Sequence, residues 1–410
     1  MTTRPCSIPL GWNRCRCSKN ISVDINQRIL AELSNLESRA QLRHLETVEG
    51  IDLSSNDYLG LAADSRMKQA VLYGVNSASR IASTGSRLLS GHDEAWTLLE
   101  HDFAQWVGAE AALYFTSGYA ANVGLLGALL RPEDIVFSDS ANHASLIDGI
   151  RLSKCRRVIF PHLDLNFLED ELRRNVSNLG TRVIVVESIF SMEGDRAPLA
   201  NLAALAQRYA AELIVDEAHA VGVRGPRGSG CVAEAGLSER VLASVHTCGK
   251  ALAAAGAFVC GSENLRRFLI NRARTFIFNT GLPPYFASQV AAGVSFAAEA
   301  DSERARLVEL SAFLRSELRK NGFSVAPGSD SQIVPVILGL NDAAVHFAVC
   351  LRANGFGVRA IRPPTVPEGT ARIRLSVTAK LSEKILADFV AAMTQARDIH
   401  SSARAVSVSR

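Results

Sequence analysis

Between residues 21 and 47, Ile25, Ile29, Leu30, Leu33 and Leu36 recur at helical spacing with charged residues between them. One amphipathic helix is expected over this stretch. From about 60 to 290 the pattern changes. Short β-branched runs such as Asp134-Ile-Val-Phe, Arg182-Val-Ile-Val-Val-Glu and Glu212-Leu-Ile-Val-Asp alternate with longer Ala- and Leu-rich helical stretches. Such alternation predicts an α/β fold with a mainly parallel sheet covered by helices on both faces. From about 295 a long charged helix leads into strands around Gln332–Leu338 and Ala371–Val377, with a helix near 342–354 between them. The expected organisation is an unmatched leader (1–20), an N-terminal arm (21–59), a large domain (60–290) and a smaller α+β C-terminal domain (291–410). With no internal repeat and no low-complexity linker, the two larger parts are expected to pack closely.

Composition narrows the classes. The 410 residues are 48% apolar and 21% charged, as in an ordinary globular protein able to bury a large core. Net charge is +3 on 44 basic and 41 acidic residues, so no global field favours nucleic acid or an anionic membrane. The longest apolar runs, Ala120–Leu130 and Ala251–Cys260, fall short of the roughly 20 residues that span a bilayer. The leader carries Cys6, Cys15 and Cys17 among basic residues but no apolar core of a secretory signal, so a cytoplasmic address is expected. Cys155, Cys231, Cys248, Cys260 and Cys350 stand singly in apolar segments, the pattern of reduced, buried thiols. The Cys15-x-Cys17 pair has no partner pair at ligand spacing, and no metal site is expected.

The strand Leu213-Ile214-Val215 runs into Asp216-Glu217-Ala218-His219. Ligands of open α/β sheets bind just beyond the carboxyl ends of strands, and polar residues placed there need a reason. Pyridoxal 5′-phosphate (PLP) supplies one: an aspartate keeps the pyridine nitrogen protonated, and His219 can hydrogen-bond the phenolic oxygen. The plain alternative is an aspartate capping a helix beside a core histidine. A helicase would need a Gly-Lys-Ser/Thr phosphate loop upstream, which this chain lacks. Downstream, Val245-His-Thr247-Cys-Gly-Lys250 sets a lysine between a strand and the small residues Ala251–Gly256. A lysine amine forms a Schiff base with PLP, and once desolvated it also serves as a base. Thr247 is placed to bond the phosphate. Thr116-Ser-Gly118-Tyr119-Ala-Ala-Asn122, directly after the run Ala112–Phe115, offers backbone N–H groups at a helix start; Gly118 permits a tight turn and Tyr119 flanks the ring. His143 stands where an imidazole could stack on the pyridine face.

In order, Ser54–Gly60, Ser83–Gly91, Ser117-Gly118-Tyr119, His143, Glu187–Asp195, Asp216–His219 and Thr247–Lys250 resemble the motifs of the α-oxoamine synthases, PLP enzymes that condense an amino acid with an acyl thioester and release CO2. The likeness runs from about residue 40 to 395 and implies an aminotransferase-like fold (fold type I). It implies PLP as a Schiff base on Lys250, with Gly118, Tyr119, Ser191, Asp216, His219, Thr247 and Thr280 holding the cofactor. Catalysis falls to Lys250, His143 and Asp216. Arg43, His143, Arg362, Thr365 and Arg374 would contact substrate, with Arg374 gripping the amino acid carboxylate. Asn279-Thr280 resembles a segment that reaches the phosphate of a neighbouring subunit, which implies a homodimer with active sites at the interface. Within the family, Ile361–Ser376 is most similar to the member that joins L-alanine to pimeloyl-CoA or a pimeloyl-carrier protein on the way to biotin. Glycine C-acetyltransferase, 5-aminolevulinate synthase and serine palmitoyltransferase are the nearest alternatives, and a non-catalytic PLP-fold protein is a further one. Cys248 and Ala253–Ala255 depart from the usual residues around the lysine, the Arg43–Asn56 spacing is short, and the leader matches nothing.

Overall fold

The computed structural model describes residues 24–408, so the leader lies outside the described residues. The chain divides after Glu46 into two units, each described by itself. In the first, Asp24 caps the helix Ile25–Ser38 by accepting from Asn26 N at 3.2 Å. The helix is shorter than the stretch expected to 47. Ala40 has φ 51°, a left-handed conformation through which a right-handed helix cannot continue.

Among the described residues, the second unit carries the strands: β1 (Ile51–Asp52), β2 (Ala111–Phe115), β3 (Ile135–Asp139), β4 (Arg156–Phe160), β5 (Arg182–Glu187), β6 (Glu212–Asp216), β7 (Ala243–Thr247), β8 (Ala257–Gly261), β9 (Ile333–Gly339), β10 (Phe356–Gly357), β11 (Ala360–Ile361) and β12 (Ala371–Ser376). The central sheet has the order β2-β8-β7-β6-β5-β3-β4. Only β8 runs antiparallel to its neighbours. Strands β2, β3 and most of β5 and β6 are buried on both faces, hence their unbroken apolar runs.

Successive side chains of a strand point to opposite faces. Ile184, Val186, Leu213 and Val215 enter one apolar layer; Val183, Val185, Ile214 and Val245 enter the other, with Leu125 and Leu126 of the helix Gly118–Leu129 and Leu146 and Ile150 of the helix Ala144–Ser153. Truncating Ile214, wholly buried in that second layer, to Ala would cost about 2–5 kcal/mol. The same alternation sends the last residues of β5, β6 and β7, namely Glu187, Asp216 and Thr247, towards those two helices. Strand order reverses between β3 and β5, which opens a crevice at the carboxyl rim.

A second sheet, β11-β12-β9, is antiparallel throughout. The charged helix spans Asp301–Lys320 and is preceded by a separate helix, Tyr285–Glu299, that the sequence pattern did not distinguish. Leu53 O accepts from Ser376 N and Tyr58 O from Ala379 N, both at 2.8 Å, so the Leu53–Tyr58 segment is stitched to the end of β12. Cys155, Cys231, Cys248 and Cys260 are buried free thiols. Cys350 is only half-buried, against expectation, with Sγ 3.4 Å from His346 Nε2 one helical turn away. Among the described residues, no helix is long and apolar enough to cross a membrane.

Candidate active site

A cavity of about 330 Å3 opens at the carboxyl rim. Gly118, Tyr119, His143, Asp216, His219, Thr247 and Lys250 line it, brought together from β6, β7 and the starts of two helices. Ser117 caps the helix Gly118–Leu129 by accepting from Ala120 N at 3.1 Å, which leaves the first-turn N–H groups beside the cavity without intrahelical acceptors. Gly118 is needed for a reason other than a turn: a Cβ there would stand 2.5 Å from Thr247 Cγ2. The glycine keeps open a cradle between the helix start and Thr247.

Asp216 accepts from Asn122 Nδ2 at 2.7 Å and from Ala218 N at 2.8 Å, so its carboxylate is fixed at the end of β6. Lys250 Nζ lies 2.7 Å from His219 Nε2, and His219 Nδ1 lies 2.6 Å from the Tyr58 hydroxyl. Tyr58 donates to Asn56 Oδ1 at 3.0 Å, and the same oxygen accepts from Arg374 Nη1 and Nη2 at 3.1 and 3.2 Å. With Tyr58 donating onward, His219 must donate from Nδ1 and accept from Lys250 at Nε2. One chain of hydrogen bonds thus joins Lys250 to Arg374, the donors from both ends converging on Asn56 Oδ1. Arg374 is further held by Ser191 O at 2.5 Å and Ser376 Oγ at 2.8 Å.

Desolvation pulls the Lys250 amine down to about 8; Asp216 and Glu187 oppose the fall and Arg374 adds to it. Burial, then the nearby Lys250 and Arg374 charges, hold His219 well below the usual histidine range, so it is neutral and can accept from Nζ. Glu187 pairs with Asp216 across β5 and β6, and burial together with that neighbouring charge raises its carboxyl well above the usual range. His143 caps the helix Ala144–Ser153, its Nδ1 accepting from Ser145 N at 3.3 Å; desolvation lowers its pKa, leaving a neutral ring protonated on Nε2.

Other expected residues lie elsewhere. Ser191 is outside the cavity wall and faces the site through its carbonyl on Arg374. Thr280 lines a separate small cavity with Arg87 and Trp96, while neighbouring Asn279 donates to Thr116 Oγ1 at 2.7 Å. Arg362 and Thr365 lie in the loop after β11, outside the wall, and Arg43 belongs to the N-terminal unit. Asn56, Tyr58, Asn122 and Glu187 carry no role legible in the sequence. All four stand within or beside the motif segments, but only their partners, far off in the chain, reveal what they do.

The residues present fit PLP. The cradle beside Thr247 and the helix start suit a phosphate, Asp216 suits a pyridinium, and Lys250 supplies the amine. Asn122 Oδ1 and Glu187 Oε1 are buried in the wall without a hydrogen-bond partner, groups a polar ligand would satisfy.

Comparison with known proteins agrees. The model of the family "Aminotransferase class I and II" matches residues 48–393. The 8-amino-7-oxononanoate synthase of Anaeromyxobacter dehalogenans is 42% identical over 378 residues, 88% of this chain and 94% of that protein. Among solved structures, serine palmitoyltransferase from Sphingomonas wittichii has a TM-score of 0.83 at 28% identity, covering 90% of this chain and 96% of that one. A serine palmitoyltransferase structure with PLP has the same TM-score at 27% identity, covering 91% and 99%. The 8-amino-7-oxononanoate synthase of Francisella tularensis has a TM-score of 0.75 at 27% identity, covering 86% and 99%. The chain belongs to the class I and II aminotransferase family of PLP-dependent proteins, within its 8-amino-7-oxononanoate synthase branch.

Proposed function

We propose that this chain condenses L-alanine with a pimeloyl thioester, borne by CoA or a carrier protein, forming a bond from the alanine α-carbon to the acyl carbonyl and releasing the thiol and CO2. The product is 8-amino-7-oxononanoate, a precursor of biotin. The observation that carries this reading is the hydrogen-bond chain from Lys250 to Arg374, which sets a desolvated amine and a carboxylate-binding guanidinium in one network. PLP bound at Lys250 supplies the electron sink for the pair left on the α-carbon when its proton departs. Arg374 holds the alanine carboxylate, with its guanidinium pre-set by Ser191, Asn56 and Ser376. Lys250, neutral once its proton is shed, removes the α-proton and later returns one to the product. Neutral His219 keeps Nζ oriented by accepting from it, Asp216 holds positive charge opposite the lysine, and His143 covers the ring face. Arg43, Arg362 and Thr365 contact the substrates.

The enzyme works as a cytoplasmic homodimer with Thr280 reaching the partner's phosphate site. Ile81, Leu89 and Phe278 are 71%, 84% and 72% exposed, an apolar surface that a second copy would cover, and the buried free thiols suit a reducing compartment. Residues 60–290 act as the large domain and 291–410 as the small one, each with its own sheet.

Serine palmitoyltransferase chemistry is the second reading, favoured by the higher TM-score, 0.83 against 0.75. Identity of 42% with an 8-amino-7-oxononanoate synthase outweighs it. Mass spectrometry of PLP-loaded protein given pimeloyl-CoA with alanine, glycine or serine separates the two. Product with alanine alone supports the first; product with serine alone, or none with alanine, overturns it.

A further inference from the structure

Behind the cavity, a third loop binds both the loop that leads to His143 in the wall and the turn that follows β5. His162 follows β4, and its Nδ1 lies 2.9 Å from Asp139 Oδ1 while its Nε2 lies 2.9 Å from Asp195 Oδ2. A neutral imidazole has one N–H and would turn a lone pair on one of these carboxylates; two carboxylate partners require both nitrogens to donate. Burial works against the charge, but the hydrogen bonds to Asp139 and Asp195 outweigh it and raise the ring's pKa to about 10. The ring edge also packs on Phe190, with centroids 4.4 Å apart and planes at 84°.

Each carboxylate is built into a loop of the site. Asp139 ends β3 and accepts from Ala141 N at 2.8 Å and Leu163 N at 2.9 Å, which fixes the turn leading to His143. Asp195 closes the turn after β5, where Phe190 N donates to Asp195 O at 3.0 Å. Ser191 within that turn gives its carbonyl to Arg374 Nε.

We propose that His162, donating to Asp139 and Asp195 at once, is a positioning residue that fastens the His143 loop to the loop whose Ser191 carbonyl aims Arg374. His162 touches neither cofactor nor substrate; it acts through His143 and Ser191. The clamp rests on the assignment of Arg374 to the amino acid carboxylate and of His143 to the cofactor.

The test compares His162→Gln, whose amide can donate to only one of the two carboxylates, with Leu172→Ala, a wholly buried residue of the helix Leu165–Arg174. For each, PLP affinity is measured on the apo-protein, and alanine affinity by absorbance titration of the loaded protein alongside melting temperature. His162→Gln is expected to weaken alanine binding about tenfold, the loss of one charge-assisted hydrogen bond's alignment, and to weaken PLP binding severalfold. Leu172→Ala is expected to lower the melting temperature while leaving both affinities within twofold. Both affinities unchanged in His162→Gln, or equal shifts in Leu172→Ala, would overturn the clamp. Should His162→Gln not fold, Asp195→Asn, which keeps an acceptor but removes its charge, is expected to shift both affinities in the same direction by less, and unchanged affinities there would equally overturn it. A wild-type protein that binds PLP but not alanine would sink the assignment of Arg374 instead, and PLP affinity would still test the clamp.

Discussion

The two rims of the central sheet treat charge in opposite ways. At the amino rim, Glu110, Glu212, Glu239 and Arg240 line an open groove of about 650 Å3, twice the volume of the cavity at the other end, and all four are exposed. At the carboxyl rim, Glu187, Asp216 and His219 are buried, and Lys250 is half-buried among them. Water solvates the first set for almost nothing; the second set is taken out of water and depends on partners within the wall, as Asp216 does on Asn122 and Lys250 on His219. Size therefore misleads here. What marks the site is the cost of its polar groups and the network that offsets it.

The comparison breaks most sharply at Lys250. Lys250→Ala is expected to lower kcat by more than about 10⁴-fold, since base and cofactor anchor vanish together; steady-state assays retaining near wild-type turnover would return Lys250 to the ranks of ordinary lysines. Arg374→Ala comes next, with KM for alanine raised about 100-fold through loss of a buried ionic contact. Tyr58→Phe cuts the chain between His219 and Asn56 without disturbing the cavity's shape, and a fall in kcat of about fivefold is expected. At the opposite rim, Glu212→Gln should leave kcat and KM within twofold; a larger change would give the groove a part in the reaction.

Acidity sharpens the same contrast. The Lys250 amine, brought by burial from the usual lysine value to about 8, is protonated and unreactive below that pH and nucleophilic above it. The rate at which apo-protein takes up PLP should therefore rise with pH and level off above about 8. A rise that continues to about pH 10.5 would mean the amine is as solvated as a surface lysine.

Much of this rim could be read from the chain because its residues end or directly follow their strands: Asp216 at the end of β6 and His219 after it, Lys250 after β7, Gly118 after β2. Local order carries such information. The Arg374–Asn56 contact spans 318 positions and depends on the second sheet stitching the Leu53–Tyr58 segment to β12, which no local pattern encodes. Glu187 looked like the opening of a motif until its pairing with Asp216 placed two carboxyls side by side. The apolar spacing predicts a longer N-terminal helix than the one observed because it continues past Ala40, where the backbone turns left-handed. At Gly118 the sequence suggests a turn, whereas the structure shows clearance from Thr247.

The most direct measurement is to load the protein with PLP, reduce it with borohydride, digest it and locate the pyridoxyl group by mass spectrometry. A single modification on the peptide containing Lys250 is the predicted result. Pyridoxyl groups spread over surface lysines, with Lys250 unmodified, would contradict the placement of the reaction at the carboxyl rim.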